Sequence, residues 1–137
     1  MDQALELAQL LLRKAADDLL MARCLASSED SPDWGIGFHV QQSVEKAIKA
    51  VLCACGVEFP RTHDIAGLLD LLPQASAPVP VARENLTVLN PFGVLWRYDE
   101  AGPTDAEAAV LPDRQALVEL AATMLAWAEG YLRASDK

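Results

Sequence analysis

Leu5, Ala8, Leu12, Ala15, Leu19, Ala22 and Ala26 recur at alternating steps of three and four along the first 26 residues. Only a helix gathers residues at that spacing onto one face. Leu11 and Leu25 widen the apolar stripe, while Glu6, Gln9, Arg13, Asp17 and Arg23 sit largely off it. The spacing predicts one long amphipathic helix from Asp2 to Ala26, broken by SSEDSPD. A helix of that length with one apolar face must bury the face against other helices or a sheet. No run of alternating β-branched residues offers a sheet, and aromatic residues make up only 6% of the chain.

Two further segments repeat the pattern. Ser31 as cap and Pro32 at the first helical position open a second helix. Its stripe is Val40, Val44, Ala47, Ile48, Val51, Leu52 and Cys55, and Gly56 supplies the stop. Thr62 caps a short third helix through Ile65, Leu68, Leu69 and Leu72, ended by Pro73. QASAPVP is a linker, and a fourth helix runs from about Val81 to Asn90 with Leu86 and Leu89 inward. Pro91 and Gly93 then disturb it, and the pattern from 91 to 111 selects no one conformation. The last helix covers Asp113 to Ala134, with Leu117, Leu120, Met124, Ala128 and Tyr131 on one face. These elements predict an all-α, up-and-down bundle of about five helices in which the three long ones form the frame. Leu12 and Leu120 are expected in its core.

At 137 residues the chain fits one domain, read here as residues 1–137. Such a chain buries roughly two-thirds of the surface it exposes when unfolded, enough for a core without staples. A hydrophobic fraction of 52% exceeds what a few stripes hide, which predicts a two-fold homodimer through the first or last helix. Cys24, Cys53 and Cys55 form no CxxC pair, so they read as buried reduced thiols rather than a zinc or redox motif. With two histidines and no paired cysteine, neither a metal site nor a cofactor is expected. The start, MDQALELAQ, lacks a basic leader, and no apolar run approaches the ~18 residues of a membrane helix. The expected location is the cytoplasm, away from membranes.

The formal charge of −9, from 11 basic and 20 acidic residues, argues against general nucleic-acid coating, which needs a dense basic surface. A local basic site is still open. On the second helix, His39, Gln42, Lys46 and Lys49 fall within an arc of about 80°. Glu45 stands four residues before Lys49, the favourable order for an ion pair. The stripe reads either as a solvated face or as a donor surface for a phosphate or a nucleotide edge. Arg61-Thr62-His63-Asp64 sets a guanidinium and an imidazole at a helix start, where free amides favour an anion. Trp96-Arg97-Tyr98 places two aromatics around an Arg.

In that order, FHVQQSVEKAIKAVL, PRTHDIAGLL and WRYDE resemble the HEPN family, the higher eukaryotes and prokaryotes nucleotide-binding domain. The resemblance runs from Asp17-Asp18-Leu19 to the last helix. It implies a helical bundle, usually a homodimer, often encoded beside a minimal nucleotidyltransferase in toxin–antitoxin pairs. Many such proteins are metal-independent ribonucleases, marked by an Arg followed four to six residues later by a His. Here His39 has no Arg in the eight residues before it, a single residue separates Arg61 from His63, and no His follows Arg97. The resemblance therefore points to a nucleotide- or RNA-binding protein, or a nucleotidyltransferase-partner subunit, with Lys46, Lys49, Arg61, His63, Arg97 and Tyr98 as its polar site. The alternatives are a metal-independent RNase with a variant pair, such as His63 with Arg97, and a purely structural dimerising subunit.

Overall fold

The computed structural model describes residues 2–73, 78–95 and 113–135. Three long helices, α1 (Gln3–Ala26), α2 (Asp33–Ala54) and α6 (Arg114–Ser135), pack against one another in a three-sided frame. Of three short ones, α3 (Ile65–Asp70) and α5 (Asn90–Leu95) pack on α2, and α4 (Arg83–Thr87) packs on α3. There is no strand among the described residues, so the chain is an all-α helical bundle.

The predicted stripe of α1 is the one it buries. Ala8, Ala15 and Ala22 are fully covered, and their methyl groups let α1 approach its neighbours closely. Ser43 seals the contact by donating to the carbonyl of Ala15 at 2.8 Å, a bond between two fully buried groups. Leu12 and Leu120, expected in the core, are only half-buried at its edge, because α1 and α6 turn smaller and neighbouring residues fully inward.

Helix α2 is the hub. It contacts α1, α3, α5 and α6, and Ile36, Val40, Val44, Ile48, Val51 and Leu52 are fully buried along its length. Phe92 of α5 lies over Gly37 so closely that a Cβ there would sit 2.6 Å from its ring. At the other end Gly56, at φ 72°, closes the helix with bonds from its own N–H to Cys53 and from Val57 to Leu52. That is the left-handed stop that glycine supplies without steric cost.

Several boundaries differ from the sequence expectations. The cap of α2 is Pro32, not Ser31. The Ser31 hydroxyl instead donates to the carbonyls of Leu25 and Ser28, closing the turn after α1. The guanidinium of Arg114 then reaches Ser28, Ser31 and Asp33 and ties the start of α6 to that turn. α3 begins at Ile65, and its first amide is capped by Asn90 from α5 at 3.0 Å. Thr62 caps only the amide of Asp64. The single fourth helix is two short ones, since Pro91 falls in the first turn of α5, where its missing N–H costs nothing. Of the three cysteines, all expected to be buried, Cys53 is, whereas Cys55 is only half-buried and Cys24 is exposed. Among the described residues no helix is long and apolar enough to cross a membrane.

Candidate functional site

Because α2 is engulfed on most sides, between its exposed first residues Asp33 and Trp34 and its half-buried last residue Ala54 only a narrow stripe of it reaches the surface: Phe38, His39, Gln42, Lys46 and Lys49, all half-buried. Beneath the stripe lie two buried carboxylates, Asp18 of α1 and Glu45 of α2. A buried carboxylate is tolerated only when its lone pairs are met by donors. Each of these two is met by one lysine and one histidine.

Asp18 receives Lys46 Nζ on Oδ2 at 2.5 Å and faces His39 Nδ1 across 3.0 Å from Oδ1. This pairing spans two helices and fixes how α2 rotates against α1. Glu45 receives Lys49 Nζ on Oε2 at 3.0 Å and His63 Nδ1 on Oε1 at 2.8 Å. The Gln41 amide also donates to Glu45 Oε1 at 3.0 Å and to the His63 carbonyl at 3.3 Å. Glu45 therefore holds α2 to the segment that leads into α3. Gln42 donates to the Gln41 side-chain oxygen and so extends the Glu45 cluster along the α2 stripe.

The chemistry follows from which atoms are used. A carboxylate facing Nδ1 favours the tautomer with the proton there, leaving Nε2 as the free acceptor in both His39 and His63. About a quarter of each side chain remains exposed, 23% and 26%. Lys49 also sits 5.5 Å from the centre of the Phe59 ring, a cation–π contact that further fixes its stem.

The sequence expectation of a positive patch is altered by these pairings. Lys46 and Lys49 each rest on a carboxylate, Asp18 and Glu45, which offsets their charge. The ion pair Glu45–Lys49 forms as the spacing predicts. Arg61 is exposed and has no ion-pair partner among the described residues. Of the six named polar residues, Lys49 and His63 meet on one carboxylate, Lys46 stands on the other, and Arg61 lies two residues from His63. Arg97 and Tyr98 lie outside the described residues. No group of three His, Cys, Asp or Glu residues placed to hold a metal ion occurs among the described residues.

Sequence reasoning left Asp18, Glu45 and His39 out of the polar site. Asp18 stands between Ala15 and Ala22 in the inward phase of α1, and a lone carboxylate in a buried phase is the signal that it has a partner.

The model of the HEPN domain matches residues 8–130, nearly the whole chain. A stretch of 61 residues is 41% identical to a Methanocaldococcus jannaschii protein named "Putative toxin MJ1304" and spans 44% of this chain and 38% of that protein. The crystal structure of TT1696 from Thermus thermophilus is similar at a TM-score of 0.69 and 26% identity, covering 90% of this chain and 97% of that one. In fold and in sequence, then, this chain is a member of the HEPN domain family.

Proposed function

We propose that this protein binds a nucleotide or short single-stranded RNA at the row formed by Lys46, Lys49, Arg61 and His63, with Arg97 and Tyr98 joining it. The whole chain is read as one unit, acting as a homodimeric subunit beside a nucleotidyltransferase in a toxin–antitoxin-type pair. The similarity to a protein named as a toxin supports the pairing. The observation that carries the site is the sharing of Glu45 by Lys49 and His63, two residues beyond the exposed Arg61. One carboxylate thereby brings the α2 stripe and the α3 approach to a common edge.

The balance of charge sets the mode of binding. Neither lysine is a free cation, so recognition would rest on the Arg61 guanidinium and on donors left over on the ammonium groups. That gives few phosphate contacts and a shallow salt dependence. The fixed imidazoles favour a second reading, a metal-independent RNase: an anchored His63 with a free Nε2 is the form a general base takes.

Calorimetric titration of mono- and triphosphate nucleotides and a short single-stranded RNA tests the proposal, using the wild type, Arg61→Ala and Arg97→Ala. Each loss of a charge-assisted contact should weaken binding by about 1–3 kcal/mol. No binding by the wild type at millimolar nucleotide, or identical curves for all three proteins, returns the row to a structural role. RNA cleavage in EDTA that disappears in His63→Ala would select the enzyme.

A further inference from the structure

Four of the large hydrophobic residues left exposed lie on one helix: Leu7 at 46%, Leu10 at 41%, Leu20 at 59% and Met21 at 44%. Leu10 and Met21 stand on the side of α1 away from its buried alanines and Leu7 on its flank, whereas Leu20 lies about a quarter-turn off their line. Positions 7, 10, 14, 17, 21 and 24 follow strict steps of three and four, which is a heptad seam rather than a scatter. The seam reads Leu7, Leu10, Lys14, Asp17, Met21 and Cys24, every one of them exposed. Lys14 and Asp17 have no ion-pair partner among the described residues.

The order of these six is self-complementary. In an antiparallel pairing about a point between Ala15 and Ala16, Leu7 meets Cys24, Leu10 meets Met21, and Lys14 meets Asp17. Each layer is apolar on apolar or cation on anion, and the two-fold makes every contact twice. A parallel pairing would set Lys14 on Lys14 and Asp17 on Asp17, which repels. A partner of unrelated sequence has no reason to match this order.

We propose that the outer face of α1 is the seam of a two-fold homodimer, packed antiparallel on α1 of a second copy, with Lys14 of each copy paired to Asp17 of the other. The inference rests on the homodimer named in the proposed function and specifies its face and register. A seam about 26 Å long, from 17 residue steps of 1.5 Å, is at the small end of stable interfaces.

Sedimentation velocity over a concentration series reads it, with circular dichroism confirming that each variant is folded. Lys14→Glu alone and Asp17→Lys alone place like charges together twice per dimer, and each should dissociate roughly tenfold more readily. An equal mixture of the two variants makes a heterodimer in which Glu faces Lys and Asp faces Lys, so the affinity should return to that of the wild type. The mixture does not repair any contact within one chain, which keeps the effect specific to the seam. A wild type that stays monomeric at about 100 µM, where a dimer bound by roughly 5.5 kcal/mol or more would be populated, overturns both the dimer and its face. A wild-type dimer whose affinity ignores both variants, or a mixture no tighter than the single variants, overturns the face alone.

Discussion

Glu45 Oε1 lies 2.8 Å from His63 Nδ1, although 18 residues separate the two in sequence. The carboxylate is buried, and its other oxygen is occupied by Lys49. Removing it would leave the Gln41 amide, which is fully buried, without its shorter contact, and Lys49 without its counter-charge. Glu45→Ala should destabilise the protein by about 3–5 kcal/mol, the usual range for breaking a buried pair. Glu45→Gln keeps the shape and one acceptor, so it should cost less. Urea denaturation of the three proteins gives the order directly, and equal midpoints for Glu45→Ala and wild type would show the acid to be dispensable.

Gly37→Ala should destabilise the protein, against the trend of helix propensity. In an open helix the change gains roughly 0.5–1 kcal/mol. Here the added methyl would lie 2.6 Å from the Phe92 ring, which is itself buried in the core, so moving it aside disturbs its packing. Overpacking of this kind costs about 1–3 kcal/mol, so the net sign is unfavourable. The double change Gly37→Ala with Phe92→Leu should recover part of the loss if the ring is the cause. Thermal melts of the two variants and the wild type give the comparison.

Leu52→Ala and Leu12→Ala should differ, although both belong to apolar stripes. Leu52 is fully buried between α2 and its neighbours, so its removal leaves a closed cavity and should cost about 3–5 kcal/mol. Leu12 is half-buried at the edge of the core, where solvent and neighbours can refill the space, and its loss should cost nearer 1–2 kcal/mol. Chemical denaturation that ranks Leu12→Ala as the worse of the two would contradict the placement.

The contrast shows what a sequence of this kind discloses. Helix period was enough to place α1, α2 and α6, because periodicity reports faces, although α2 buries most of its circumference rather than the one stripe the period picks out. It could not rank Leu12 against Ala15, since depth depends on how the partner helix lies. Pro91 looked like a disturbance because the run before it was helical, whereas the chain uses it to begin α5. In the candidate site, the Glu45–Lys49 pair was legible as a local i,i+4 spacing. The Asp18–Lys46 and Glu45–His63 pairs were not, because they join residues 28 and 18 apart and depend on helix packing.

Alkaline pH should weaken the fold through two groups near the lower end of the bundle, Cys53 and Tyr131. Burial pushes the Cys53 thiol above its ordinary value. The hydrogen bond to Cys55, at 3.1 Å, and then burial push the Tyr131 phenol up as well. A raised value means that the folded state keeps a proton the unfolded chain gives up. Below the ordinary thiol range, near 8.5, both states are protonated and the full stability is present. As pH rises past that range the unfolded chain ionises first, and stability falls until the folded thiol ionises too. The tyrosine adds a second decline from its own ordinary range, near 10. Urea midpoints measured from pH 7 to 10.5 should therefore fall in two stages. Cys53→Ala should flatten the first stage, whereas Tyr131→Phe should leave the first intact and flatten the second. Midpoints that hold level across the range in the wild type would show that neither group prefers its protonated form in the folded state.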